Sequence, residues 1–371
     1  MSGAPIPESV SLGPLERQLV RALQLEPRAS YSRLADVLGT SEQTAARRYR
    51  ALRQAGLVRV VGAVDPRALG QNDWLVRLRC RPNGAAAVAD ALARREDVSW
   101  LTINSGGSEM LFALRSRTAA ERDDLLVARL PRSAPVLDTA AFMIMRRFVG
   151  SEPTDWRGLE GSLTPTQTAR LTATPAVVTG EPVTLEPGDD ALLDLLLVDG
   201  RASYAELARA TGMTIGKVTR RVDALTASGV VYFDIDVAVA AIGPLVGAYL
   251  WLRAPLHRWD AVGRELGRHE EVQFAAAITG QDNLVAHASA PDLDQLYRYL
   301  TTRLAAVDGI SQYAISPVVR RVKQAGTITK GDRLVEPEPI RRRRPTRRTA
   351  DRQDNPADEP AAAPAGARRS G

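Results

Sequence analysis

Two basic segments carry the residues whose types and spacing are best suited to chemistry. Residues 41–50 offer Ser41, Glu42, Gln43, Thr44, Arg47, Arg48 and Arg50; residues 214–221 offer Thr214, Lys217, Thr219, Arg220 and Arg221. A glutamine amide matches the major-groove edge of adenine, and an arginine fork matches guanine or a phosphate. The plainer reading of each segment is a solvated helix face. For Arg48 and Arg221, a salt bridge inside the motif is as good a reading as a base contact. Other chemistry is poorly supplied. His257, His269 and His287 stand at no metal-ligand spacing with one another or with Cys80, so neither a metal nor a cofactor is expected. His287 falls in a strand pattern and reads as a partly buried sheet residue. A phosphate-binding glycine loop and a nucleophile motif are both missing, so no enzyme is expected.

The two basic segments belong to one repeated unit. Residues 28–58 and 201–231 align with thirteen identities, beginning with Arg28-Ala29-Ser30-Tyr31 and Arg201-Ala202-Ser203-Tyr204. Self-similarity over so long a period indicates a duplicated domain rather than a solenoid. Leu15–Leu25 and Ala191–Val198 carry apolar residues at helical spacing. Ser30 and Ser203 can cap a second, short helix that runs to Leu38 or Thr211. Gly39 and Gly212 follow, where a helix end favours positive φ. Ser41 and Thr214 cap a third helix ending near Gly56 and Gly229. Helix, glycine-containing turn and helix is a helix-turn-helix. The β-rich stretches after it, LVRVVGAV and VVYFDIDV, are each expected to supply a wing hairpin.

The stretch behind each helix-turn-helix is repeated too. DWLVRLRC, PNGAAAVADALARRED, VSWLTINSG, SEMLFALRS, TAAERDDLLVARLPR and VLDTAAFMIMRRFV read as βαββαβ, the ferredoxin-like order. LVGAYLWLRA through GISQYAISPVVRRV repeats that order, with Trp100 aligned to Phe274. The fold expected is α+β: two winged helix-turn-helix domains alternating with two ferredoxin-like βαββαβ domains.

Composition bounds the setting. The 371 residues are 44% hydrophobic, 25% charged and only 5% aromatic, with net charge +6 and a pI near 9.7. That suits a nucleic-acid partner. A single cysteine excludes an intrachain disulfide. MSGAPIPESV is unlike a signal peptide, and the longest uncharged run, Val237 to Leu252, is broken by Gly243-Pro244 and falls short of a bilayer span. A cytoplasmic location without membrane contact is expected.

Helix-turn-helix followed by βαββαβ resembles the Lrp/AsnC (leucine-responsive, feast/famine) transcriptional regulators. The resemblance rests on YSRLADVLGTSEQTAARRYRALRQAGLV, VDPRALG and ITGQDNLVAHASA, and covers about residues 12–150 and 188–325. It implies double-stranded DNA as a partner and pairing of the βαββαβ sheets, here as an intrachain pseudo-dimer, with further homo-oligomerisation left open. It also implies an amino acid or related metabolite as effector, held by Gly106, Gly107, Ser108 and Glu109 in one half and Thr279, Gly280, Asp282 and Asn283 in the other. Two departures stand out: Ala45 occupies a position the family fills with a branched apolar residue, and Asn283 one it fills with an acid. Sirohaem decarboxylases share this layout and give an enzymatic alternative. A metabolite-binding module without DNA binding is another, opposed by Arg47 and Arg220.

The domain boundaries read as 12–65 and 188–238 for the winged helix-turn-helix units and 70–150 and 243–325 for the βαββαβ domains. Residues 151–187, rich in Thr, Pro and Gly, read as a flexible linker, and residues 331–371 as a disordered basic tail containing RRRRPTRR. The tail is either solubilising or a nonspecific phosphate clamp.

Overall fold

The computed structural model describes residues 12–81, 83–150, 159–172, 183–238, 241, 243 and 245–335. In the first half, helices α1 (Pro14–Leu25), α2 (Tyr31–Leu38) and α3 (Glu42–Gln54) precede strand β1 (Val58–Val64). The local causes are the expected ones. Ser30 accepts a bond from the Arg33 N–H at 3.1 Å, Gly39 ends α2 at φ +65°, and Ser41 accepts from the Thr44 N–H at 3.1 Å. Then come β2 (Trp74–Cys80), α4 (Ala85–Ala93), β3 (Val98–Asn104), β4 (Glu109–Leu114), α5 (Ala119–Asp123) and β5 (Val136–Val149). A further helix, α6 (Pro165–Thr172), stands between the halves.

The second half repeats the order: α7 (Asp189–Val198), α8 (Tyr204–Thr211), α9 (Ile215–Ala227), β6 (Val231–Val237), β7 (Val246–Arg253), α10 (Trp259–Leu266), β8 (Val272–Ile278), β9 (Leu284–Ala290), α11 (Leu293–Tyr299) and β10 (Gln312–Arg321). A short hairpin, β11 (Thr329–Lys330) and β12 (Arg333–Leu334), follows.

The fold class is α+β, and the sheets do more than pair. In each half the antiparallel order places the last strand beside the first: β3-β4-β2-β5 and β8-β9-β7-β10. The long outer strand of each half then crosses to the other. Beyond its pairing with β2, β5 joins β8 through Arg147↔Ala276; beyond β7, β10 joins β3 through Arg321↔Thr102. The result is a closed eight-stranded barrel, which leaves no edge strand exposed. Leu75, Leu111, Ile144, Tyr249, Trp251, Ala276, Ile278 and Val285 pack inside it, and each half packs helices on its outer face.

The expected wing hairpins are corrected. β1 pairs antiparallel with β6 along its whole length, Val58↔Val237 to Val64↔Val231, so the wings form one shared ribbon. A ribbon satisfies the same backbone ladder as two hairpins and also buries apolar residues across the seam. Ile235, Val237 and Ala238 accordingly enter the core of the first helix-turn-helix, and Val64, Ala68 and Leu69 pack on the core of the second.

Two further expectations are corrected. The linker is not structureless throughout: α6 packs its buried Leu171 into the first helix-turn-helix core, and Gln167 donates to the Val37 carbonyl at 3.0 Å. A helix of eight residues is too short for its period to show against a Pro/Thr-rich background. The start of the tail is also ordered, with Leu334 buried and its N–H donating to the Gly56 carbonyl at 2.8 Å. The Arg-rich run lies outside the described residues.

Candidate nucleic-acid interface and central cavity

Across the ribbon the two helix-turn-helix units are tied by exchanged arginines. Arg201 donates to the carbonyls of Pro27 (2.6 Å) and Ala29 (2.7 Å), and Arg28 donates to those of Gly200 and, at 3.1 Å, Ala202. Each guanidinium also lies over a tyrosine of the opposite copy, Arg201 over Tyr31 at 4.8 Å and Arg28 over Tyr204 at 5.2 Å.

On α3, Gln43, Arg47 and Arg50 are exposed, and Thr44 is partly so, while the buried Ala45, Ala46, Tyr49 and Leu52 hold the opposite face. Ala45 therefore fills a core position without a branched side chain. On α9, Arg220 is exposed and Lys217 and Thr219 partly so, with Val218, Val222 and Leu225 buried beneath. Ser41 and Thr214 are helix caps, and Thr219 bonds back to the Ile215 carbonyl at 3.0 Å. Arg47, Arg50 and Arg220 have no ion-pair partner among the described residues. Arg48 and Arg221 differ. Arg48 pairs with Glu16 at 2.7 Å. Arg221 is buried, bound to Asp189 at 2.5 Å and Glu186 at 2.9 Å. Those contacts raise the Arg221 pKa, with the hydrogen bond to Asp189 the largest cause. Its role is to lock α9 to the start of α7.

The loop residues that the family resemblance assigns to an effector lie at the turns β3–β4 and β8–β9, and none lines the central cavity. Gly106 and Gly107 take positive φ, and Ser108 donates to the Ser105 carbonyl at 3.0 Å. Glu109 is buried against Arg77 at 2.5 Å. In the other turn, Thr279 accepts from the Met143 N–H at 2.9 Å, and Asn283 brackets the Ala254 backbone at 2.9 and 3.0 Å. Gly280 has φ +118° with the Phe142 ring against it, and Asp282 sits 3.8 Å from Arg253. These contacts build turns.

The sequence reading missed a concavity. A cavity of about 160 Å³ lies between the barrel and the ribbon. Its walls include Arg115, Arg147 and Arg321, the aromatic residues Trp100, Tyr232, Tyr249 and Phe274, and His287. Trp100 has φ +53°, a conformation that costs a bulky residue about 1–3 kcal/mol. The β3–β4 register shifts there, and the Trp100 N–H donates to the Gln324 carbonyl at 3.0 Å. Tyr249 and His287 are cross-strand partners with ring centroids 4.9 Å apart. Burial raises the Tyr249 pKa; burial, helped by Arg321, pushes His287 down to about 3, so the imidazole is neutral. Among the described residues no cluster of His, Cys, Asp or Glu could hold a metal ion, and no helix is long and apolar enough to cross a membrane.

A signal for this cavity was present in the self-alignment. The two barrel seams make Arg147 and Arg321 equivalent, and the cross-strand pairs Leu75↔Ala113 and Tyr249↔His287 make those residues equivalent too. The arginines are the same in both halves, whereas their neighbours are not.

Comparison with known proteins places these features. A model of the AsnC-type helix-turn-helix domain matches residues 14–53, a winged helix-turn-helix DNA-binding model matches 189–232, and the Lrp/AsnC ligand binding domain matches 247–328. The chain is 30% identical over 145 residues to an HTH-type transcriptional regulator of Pyrococcus horikoshii, covering 39% of this chain and 91% of that protein. It is 32% identical over 124 residues to the HTH-type transcriptional regulator LrpA of Mycobacterium tuberculosis, covering 32% of this chain and 82% of that one. Among solved structures, the siroheme decarboxylase NirDL is similar in fold, with a TM-score of 0.56 and 17% identity over 84% of this chain and 93% of that chain. The chain belongs to the Lrp/AsnC family.

Proposed function

We propose that this protein is a sequence-specific, double-stranded-DNA-binding transcriptional regulator whose affinity responds to a small metabolite. The observation that carries the reading is the ribbon-locked pair of helix-turn-helix units, each with a capped third helix presenting unpaired basic residues: Arg47 and Arg50 on α3, Arg220 on α9. The exchanged Arg28 and Arg201 contacts fix the two readers relative to each other, as a protein spanning two half-sites requires. The regulators of Pyrococcus and Mycobacterium to which the chain is similar support the same reading. Arg48 and Arg221 act inside the motif, and the turn residues Gly106, Gly107, Ser108, Glu109, Thr279, Gly280, Asp282 and Asn283 remain the family-based candidates for an effector. The test is selection of genomic fragments by the purified full chain, with and without a panel of amino acids. Enrichment of one shared motif is expected; recovery of fragments in proportion to their abundance would overturn the reading.

One observation favours a second reading, an enzyme of the sirohaem decarboxylase type. The fold likeness to such an enzyme spans both halves, and His287 sits beside Tyr249 in an arginine-lined cavity. Against it, the cavity is close to the roughly 150 Å³ that accommodates a benzene ring, and a tetrapyrrole is several times larger. Titration with an iron tetrapyrrole separates the two: a shifted Soret band supports the enzyme, an unshifted one removes it.

A further inference from the structure

Two of the cavity's arginines, Arg147 and Arg321, are equivalent in the two halves, and they differ in their compensation. Asp73, buried just before β2, forms an ion pair with Arg147, and one of its oxygens lies 3.7 Å from Arg115. Arg115 also donates to the Tyr232 hydroxyl. The residue equivalent to Asp73 just inside the β7 edge, by the same registers that match Leu75 to Tyr249, is Gly247. A Cβ placed on Gly247 would sit 3.0 Å from the His287 Nε2, so the position faces the cavity wall. Arg321 therefore lacks the carboxylate that its twin possesses: its carbonyl accepts from the Thr329 hydroxyl, but its guanidinium makes no hydrogen bond or ion pair among the described residues. The acid that acts on it electrostatically, Asp236, is engaged elsewhere: it accepts from the Ala325 and Gly326 N–H groups and lies opposite Arg59 across the ribbon. Asp234 also lines the cavity and accepts from the Ile235 N–H. The neighbours of Arg321, Tyr249 and His287, bring no charge at neutral pH.

A guanidinium drawn part-way out of water and left unpaired costs stability, and a site that keeps one is prepared for an anion. We propose that the cavity binds one small aromatic monocarboxylate per chain, its carboxylate on the Arg321 guanidinium and its ring among Trp100, Tyr232, Tyr249 and Phe274. The size follows from the volume, which suits a single ring. The position has a consequence for the DNA-binding units. Tyr232, Asp234, Ile235 and Val237 come from β6 and Gln24 from α1, so the ligand touches the barrel and the helix-turn-helix scaffold together. The binding site stands on its own geometry; its regulatory meaning rests on the DNA-binding reading above.

The test uses the full chain and three compounds of one shape: benzoate, benzamide and benzylamine. Calorimetry should give one benzoate per chain, with benzoate preferred over benzamide by about tenfold or more and benzylamine excluded. Arg321→Gln should lose that preference, and Gly247→Asp, which restores the carboxylate found in the other half, should lose it independently. The exposed Arg320→Gln should keep it. Without ligand, Arg321→Gln should melt no lower than the wild type, because it removes an unpaired charge. Equal affinity for benzoate and benzamide, a preference that survives in Arg321→Gln, or no heat from millimolar benzoate overturns the site. DNA affinity is measured with and without benzoate in the same preparations. Intact benzoate binding without DNA binding would remove the regulator and leave the site; DNA binding without benzoate binding would do the reverse.

Discussion

Arg28 and Arg201 hold the same place in the two copies of one four-residue motif, and each reaches into the other's motif. Arg201 donates to the carbonyls on both sides of Arg28, and Arg28 to the carbonyls on both sides of Arg201. The repeated RASY is thus a clasp as well as a mark of repetition. Its serine caps a helix, its tyrosine receives a guanidinium, and its arginine supplies one. Replacing Arg201 with Ala removes two charge-assisted bonds to backbone carbonyls that meet no other side chain among the described residues. A loss of about 2 kcal/mol in urea denaturation is expected, with faster hydrogen exchange along β1 and β6. Unchanged exchange at the ribbon would show that the clasp is dispensable.

Arg220 and Arg221 are adjacent and should behave oppositely. Arg221→Ala strands the buried Asp189 and should cost about 3 kcal/mol of stability. Arg220→Ala should leave thermal stability within about 0.5 kcal/mol and weaken binding to selected DNA. Melting curves and binding isotherms on the two variants check this pair.

His287 predicts a pH dependence with a definite sign. Its folded-state pKa is about 3 against an ordinary 6.5, so the unfolded chain takes up the proton first as the medium is acidified. The stability it contributes is complete above pH 6.5 and declines as the pH falls towards 3, by at most about 1.4 kcal/mol per unit. His287→Gln should flatten that part of the curve. Parallel stability profiles for the variant and wild type between these limits would contradict the assignment.

The two third helices differ at aligned positions that are proposed to face bases. Gln43 stands opposite Gly216 in the repeat, and Thr44 opposite Lys217. The preferred operator should be an imperfect palindrome, its half-sites about 10–10.5 bp apart or a multiple of that. Footprinting of selected fragments checks this, and a perfectly symmetric optimum would contradict it.

What could be read beforehand was local. Serine caps, turn glycines and strand alternation are short-range chemistry, and Ser30, Gly39, Ser203 and Gly212 act as their residue types require. What could not be read was partnership. Nothing in the alternation of β1 says whether it turns back on itself or pairs with β6, because both satisfy its backbone and bury its apolar side chains. The barrel is hidden for the same reason: β5 and β10 are long enough to serve two neighbours, but length does not name the second. The cavity gathers residues from α1, β2 to β6 and β7 to β10, so no window of sequence contains it. Only comparison of the halves, Asp73 against Gly247 and Ala113 against His287, carries its trace.

The exposed basic residues of α3 and α9 are proposed to read DNA. The most direct measurement is the affinity of the Arg47→Ala/Arg220→Ala double variant for a selected fragment at moderate salt, beside a scrambled fragment. A loss of at least about tenfold is expected on the selected fragment, with unchanged melting and a smaller loss on the scrambled one. Wild-type affinity in the double variant, or equal losses on both fragments, would contradict it.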